Sequence, residues 1–177
     1  MKWVSHLAIA GAICAAVNPV LVPAALVGAT APDWMEGVVG LFGVKIKHRT
    51  TTHYFLIWSV AVLFFLFLWD FQHVFLAFAL GGLLHVVCDA ITIMGVPFSP
   101  HSDRKFHLFG GRLRTGGVGE YGITGAVVVA CFVFVLVIKP RVVDENRWYP
   151  FFYNWGKLYS QGTVDAKEWK ENRLKFF

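Results

Sequence analysis

Charge is scarce in this sequence, and acidic side chains and cysteine are scarcest of all. Only 15% of the 177 residues are charged, and only 11 of them are Asp or Glu. The three cysteines, Cys14, Cys88 and Cys131, all lie in apolar stretches and show no CxxC spacing, which is typical of small buried apolar residues. Internal repeats and low-complexity tracts are also missing. These absences argue against an ordinary soluble domain.

Apolar residues are correspondingly abundant. The chain is 56% hydrophobic, with 17 Phe and seven Trp, and has a mean hydropathy of +0.58. Aromatic residues in this number suit lipid-facing surfaces and interfacial belts. The net charge of +5 lies mostly in loops and the tail, where anionic lipid headgroups attract it. Nucleic acid is disfavoured as a partner, because the basic residues form no helical stripe.

Four apolar segments cover residues 4–31, 54–69, 74–96 and 121–138. They predict an all-α integral membrane bundle of about four hydrophobic helices. Pro19 and Pro23 should break the first, because proline removes a backbone donor. That run continues to residue 31 without an obvious cleavage site, so retention is expected rather than removal as a signal peptide. We predict a membrane-embedded metal-site domain at 1–138 and an interfacial or soluble tail at 139–177, in a bacterial or archaeal cytoplasmic (inner) membrane.

Segments two and three are joined by only four residues, 70–73, so they should form an antiparallel hairpin. The loops at 32–53 and 97–120 then lie on one side of the membrane. Most of the remaining polar residues are in these two loops. Their basic residues favour a cytoplasmic position for that face.

The third segment carries His85 and Asp89, four residues apart and therefore on one helical face. Ionisable residues in a membrane segment face protein or water, because lipid exposure is costly. An imidazole and a carboxylate together suit a zinc-like or manganese-like ion. The alternative is a His–Asp hydrogen bond that joins two helices.

Further candidates fall on the same membrane face. Asp33, His48 and His53 are potential metal ligands, although Asp33 could equally cap a short helix. His6 joins them if the first segment re-enters, and six ligands would suffice for two metals. The anionic oxygens of a substrate would be bound by arginines of the two loops, namely Arg49, Arg104, Arg112 and Arg114. The candidate catalytic acids or bases are Glu36 and Glu120.

The order of these motifs resembles the YdjM-type membrane proteins. It runs His6, Pro32-Asp33, HRTTTH at 48–53, HVVCDAITIMGVPFSP at 85–100, and RLRTGG followed by Glu120. The family is described as membrane-bound, metal-dependent hydrolases and is distantly similar to zinc-dependent phospholipase C and single-strand-specific zinc nucleases. The resemblance covers about 1–138. It implies that the metal ligands are His6, Asp33, His48 or His53, His85 and Asp89. The chain departs from the family at Met35, where members often carry a second acid, and Glu36 stands beside it.

These patterns predict a metal-dependent hydrolase of a phosphoester, possibly in a lipid, with metal-bound water attacking phosphorus. The expected cofactor is one or two divalent ions, zinc first and manganese as the alternative. The expected partners are membrane lipid and an anionic, phosphate-containing substrate, and any protein partner of the tail is left open. The first alternative is a non-catalytic membrane subunit with a structural metal or His–Asp hydrogen bonds. The second is a metal or proton carrier.

Overall fold

The computed structural model describes residues 1–43, 49–70, 73–100, 104–138, 159–162 and 165–172, and within them the chain is mostly helical. The helices are α1 (Trp3–Val17), α2 (Val22–Leu41), α3 (Phe55–Phe67), α4 (Val74–Ala90), α5 (Val118–Val133) and α6 (Ala166–Asn172). Two short strands, β1 (Val96–Pro97) and β2 (Lys105–Phe106), pair antiparallel. The mostly helical fold predicted from the sequence is confirmed.

The first apolar segment is broken, as predicted, and the break lies at residues 18–21. Asn18 leaves the helical conformation after α1, and its side-chain oxygen accepts a hydrogen bond from the Val20 backbone at 3.2 Å. Pro19 opens a single 3₁₀ turn. Pro23 lies in the first turn of α2, where a missing backbone donor costs nothing, so it begins a helix instead of interrupting one. The chain therefore turns back, and α1 packs against α2.

Glycines allow α2 and α4 to pack with their backbones almost in contact. A Cβ atom added at Gly81 of α4 would lie 2.2 Å from the Ala25 carbonyl oxygen. A Cβ atom at Gly28 of α2 would lie 2.0 Å from the Phe78 carbonyl oxygen. Small residues that permit close helix approach are characteristic of helix packing in membranes.

Helix α3 packs on α4 through aromatic rings, and Trp58 is the most buried of them. The Trp58 indole covers Gly82, where an added Cβ atom would come within 2.1 Å of the ring. The indole nitrogen donates to the Thr52 carbonyl at 2.8 Å and so keeps its polar atom satisfied. Trp58 belongs to a buried cluster with Ala31, Val86, Ala90 and Val96, which joins α2, α3, α4 and β1.

One helix of the described residues is long and apolar enough to cross a membrane. Helix α5 and the π-helical turn Phe134–Ile138 give a 20-residue span, Val118–Val137, with a mean hydropathy of 2.2 and almost no burial inside the protein. The apolar helices α1, α3 and α4 are shorter. A bundle of four membrane helices therefore stays a prediction.

Two further predictions concern where α4 ends and the structure of the tail. The third apolar segment was expected to run to residue 96, but α4 ends at Ala90. The chain then turns through Gly95, whose φ of 60° favours glycine, into β1. In the tail, the sequence at 164–177 is typical of a short amphipathic helix, and α6 lies within it. The aromatic stretch 147–155, typical of an interfacial belt, lies outside the described residues.

We expect Gly81→Ala to destabilise the protein by about 1–3 kcal/mol, because the new methyl group overlaps the α2 backbone. Thermal unfolding in detergent should show this as a loss of roughly 2–4 °C per kcal/mol. Gly125→Ala in α5 is the matched control, since nothing lies within 4 Å of its added Cβ atom. Equal melting temperatures for the two variants would contradict the close approach of α2 and α4.

Candidate metal centre

Five of the six predicted ligands meet at one place between the helices. They are His6 of α1, Asp33 of α2, His53 at the end of the 3₁₀ turn before α3, and His85 and Asp89 of α4. This set is called the donor cluster below. His6, His53, His85 and Asp89 are buried, each with at most 2% of its surface exposed. The sixth, His48, lies outside the described residues.

His85 lies at the centre of the donor cluster, and a backbone carbonyl fixes its orientation. Its Nδ1 is 2.7 Å from the carbonyl oxygen of Ala29 on α2. A carbonyl can only accept, so Nδ1 carries the proton and Nε2 presents a lone pair. That Nε2 atom is buried, makes no hydrogen bond, and lies 3.7 Å from both Asp33 Oδ1 and Asp89 Oδ2. An outer hydrogen bond that sets the tautomer is typical of metal-binding histidines.

His53 is oriented by the Thr52 hydroxyl, 3.1 Å from its Nδ1, and by a carboxylate. Its Nδ1 lies 3.2 Å from Glu36 Oε1, and its Nε2 lies 3.3 Å from Asp33 Oδ1. Glu36 Oε1 also accepts hydrogen bonds from the Thr52 hydroxyl and the Arg49 backbone, both at 3.0 Å. The structure thus places Glu36, predicted as a catalytic group, behind His53 on the side away from Asp33.

The position of Met35 explains the departure from the family pattern. Its side chain packs against the buried cluster around Trp58 and Val86. Asp33 and Glu36 are three residues apart on α2 and therefore share the face that meets His53. The acid beside the donor cluster is Glu36.

Asp89 is surrounded by positive and polar groups. Arg49 Nη2 lies 3.0 Å from its Oδ2, and the Met1 amino group contacts its Oδ1. His6 Nε2 lies 3.5 Å from Oδ1, and the His6 ring stacks on His85 with centroids 3.9 Å apart. Arg49 has a φ of 58°, an unfavourable conformation for a residue with a side chain, held here by its bonds to Asp89 and Glu36.

Asp33 is ionised at neutral pH. Partial burial alone would raise the pKa of its carboxyl group, but the neighbouring His53 and His85 lower it to about 2. The Trp3 indole also donates to Oδ2. This contact and the Ala29 carbonyl were missed in the sequence, because neither a lone tryptophan nor a backbone atom carries a recognisable ligand pattern.

The donor cluster consists of two groups that share His85, namely His6, His85 and Asp89, and Asp33, His53 and His85. The other predicted residues belong to neither group. Arg104, Arg112 and Arg114 have exposed side chains on the loop before α5. Glu120 is buried, and its carboxylate accepts from the Lys2 backbone at 2.8 Å, the Gly116 backbone at 2.7 Å and the Ser5 hydroxyl. These bonds attach the beginning of α1 to α5.

The spacing of the donor cluster suits a metal ion. Ligand atoms bound tetrahedrally at 2.0–2.2 Å from one ion stand about 3.3–3.6 Å apart. The His53–Asp33, His85–Asp33 and His85–Asp89 separations of 3.3, 3.7 and 3.7 Å are close to that range. The His85 lone pair also faces two carboxylate oxygens, an arrangement that a cation between them would stabilise.

A family model described as YdjM inner membrane protein matches residues 1–145, which include the whole donor cluster. No curated protein and no solved structure matches the chain.

We expect Glu120→Ala to lower the free energy of unfolding by at least about 2 kcal/mol, because it removes the acceptor of three hydrogen bonds. Bound metal should be unchanged. Thermal unfolding and elemental mass spectrometry measure the two effects separately. Glu120→Gln keeps one carbonyl acceptor and should lose less stability. Loss of metal from a Glu120→Ala protein of normal stability would instead make Glu120 a ligand.

Proposed function

The chain belongs to the YdjM inner membrane protein family, and from that premise we propose that it is a metal-dependent hydrolase of phosphoesters. The observation that carries the proposal is the pair of oriented imidazoles. His85 and His53 are both held through Nδ1, by the Ala29 carbonyl and by Glu36, and both direct Nε2 towards Asp33. Two imidazoles and a carboxylate are a ligand set of catalytic zinc sites.

One ion, bound by Asp33, His53 and His85, is the occupancy that we propose. The two ligand groups of the donor cluster share His85, and its single lone-pair nitrogen can bind only one ion. Asp89 already has Arg49 and the Met1 amino group as its cationic partners, whereas Asp33 faces imidazoles and an indole. Three protein ligands leave a position open, as in catalytic rather than structural sites. When bound, a divalent ion supplies Lewis-acid activation of water and of a phosphoryl oxygen.

Arg49 is the residue that would bind the substrate. Its Nη2 holds Asp89, while its Nη1 is buried and makes no hydrogen bond. A guanidinium edge directed into a buried site binds an anionic phosphate oxygen well, since arginine matches phosphate geometry. Asp89 would keep that edge in place through its ion pair.

Metal content is the first test. Detergent-purified protein should contain about one zinc or manganese ion per chain, and His85→Ala and Asp33→Ala should each abolish it, because each removes one of three ligands. His73→Ala is the matched control, because His73 begins α4 at the end opposite His85 and its side chain is largely exposed. Elemental mass spectrometry gives the stoichiometry.

Activity on a phosphodiester tests the reaction itself. The loaded protein should hydrolyse a chromogenic phosphodiester, and Arg49→Ala should lose turnover while keeping its metal. Metal that is tightly bound without any such turnover would favour the structural-subunit alternative. A protein that contains no metal when fresh, and takes up none, would refute the proposal.

Glu36→Gln should weaken metal binding by about 10–100-fold, because outer partners of metal-binding histidines typically contribute that much. Competition with a chelator measures the affinity. Met35→Leu is the control at the neighbouring position, and it should bind metal normally because Met35 packs against the buried apolar cluster. Loss of affinity in Met35→Leu, with none in Glu36→Gln, would reverse the roles assigned to these residues.

A further inference from the structure

An apolar cavity of about 510 Å³ lies between α1, the beginning of α2 and α4. Its volume is within the roughly 300–1,000 Å³ of ordinary ligand pockets. Most of its lining is aliphatic. The polar residues Asn18 and His73 lie at the end of α1 and the start of α4, away from His6 and His85.

The cavity lies beside the donor cluster and is lined by the same three helices, α1, α2 and α4. Two lining residues lie four positions from a ligand of the cluster: Ala10 from His6, and Gly81 from His85. A third, Ala25, lies four positions from Ala29, whose carbonyl orients His85. Four residues are about one helical turn, so each wall of the cavity begins about 6 Å along its helix from the cluster. All three are small and buried, so the end of the cavity lies about one helical turn from the imidazoles. Leu84, the neighbour of His85, also lines the cavity.

We propose that this cavity holds one hydrocarbon chain of an anionic membrane phospholipid whose phosphate lies at the donor cluster. The inference rests on the proposed function for the role of the phosphate and names lipids as the substrate class. An aliphatic lining favours hydrocarbon, because burying apolar surface is the main driving force there. The guanidinium of Arg49 complements the negative charge of the headgroup. Membership of an inner membrane protein family places phospholipid around these helices.

Lipid binding can be measured without relying on activity. Native mass spectrometry in a short-chain detergent with added dioleoyl phosphatidylglycerol should show one bound lipid per chain. Leu84→Trp fills the cavity beside the cluster and should weaken binding by at least about tenfold, the loss expected when two or more methylenes can no longer be buried. Val129→Trp, on the exposed side of α5, is the matched control and should bind normally. Metal content should be unchanged in both.

A natural thiol gives a second measurement that requires no variant. Cys14 lines the cavity, whereas Cys131 lies on α5 outside it. Added phosphatidylglycerol should slow the reaction of Cys14 with maleimide severalfold and leave Cys131 unchanged, and inorganic phosphate should protect neither. Protection should persist in His85→Ala, since burial of the chain does not need the metal.

The outcomes separate the two proposals. A protein without metal that still binds lipid in the cavity would refute the hydrolase and leave this inference standing. Normal lipid binding by Leu84→Trp, or a Cys14 rate that lipid does not alter, would overturn the inference. Cross-linking between Cys14 residues of two chains would identify a second copy as the occupant and would also overturn it.

Discussion

The hydrogen bond from His85 Nδ1 to the Ala29 carbonyl is the interaction on which the centre depends. It spans 2.7 Å between two helices, and the close backbone contacts at Gly28 and Gly81 are what bring that carbonyl within reach. With Nδ1 fixed as the donor, Nε2 can only accept. The packing of α2 on α4 therefore also sets the tautomer of His85 and the direction of its Nε2. A larger side chain at Gly81 would disturb all three together.

The sequence predicted those parts of the centre that follow from periodicity along one helix. His85 and Asp89 lie on one face of α4 because they are four residues apart. The broken first segment likewise follows from the lack of a backbone donor in proline. Both inferences relate residues that are close together in the chain, and such relations can be predicted from one sequence without knowing the fold.

Contacts between distant segments could not be predicted in this way. The sequence marked Glu36 as an acid but not as the partner of His53, since that contact depends on how the 3₁₀ turn Thr51–His53 meets α2. Glu120 is a catalytic candidate in the sequence because it is an acid directly before the fourth apolar segment. Its partners are the backbone of Lys2 and the hydroxyl of Ser5, more than a hundred positions away. The end of α4 was predicted too late because Ile91 and Met94 continue the apolar pattern, while the conformation of Gly95 is determined by the following strand.

The charges around the two carboxylates support the proposed cation. Asp33 and Asp89 both face the same lone pair of His85, so a partly buried carboxylate, a buried carboxylate and an acceptor nitrogen converge. Buried anions are stable only when they are paired. Arg49 and the Met1 amino group contact Asp89, whereas Asp33 meets His53, His85 and the Trp3 indole. A cation bound between Asp33, His53 and His85 would place a charged partner directly at Asp33. A proton there would bind His85 to Asp33 and close the site, whereas a divalent ion would also carry an excess charge that attracts the anionic phosphoester of the proposed reaction.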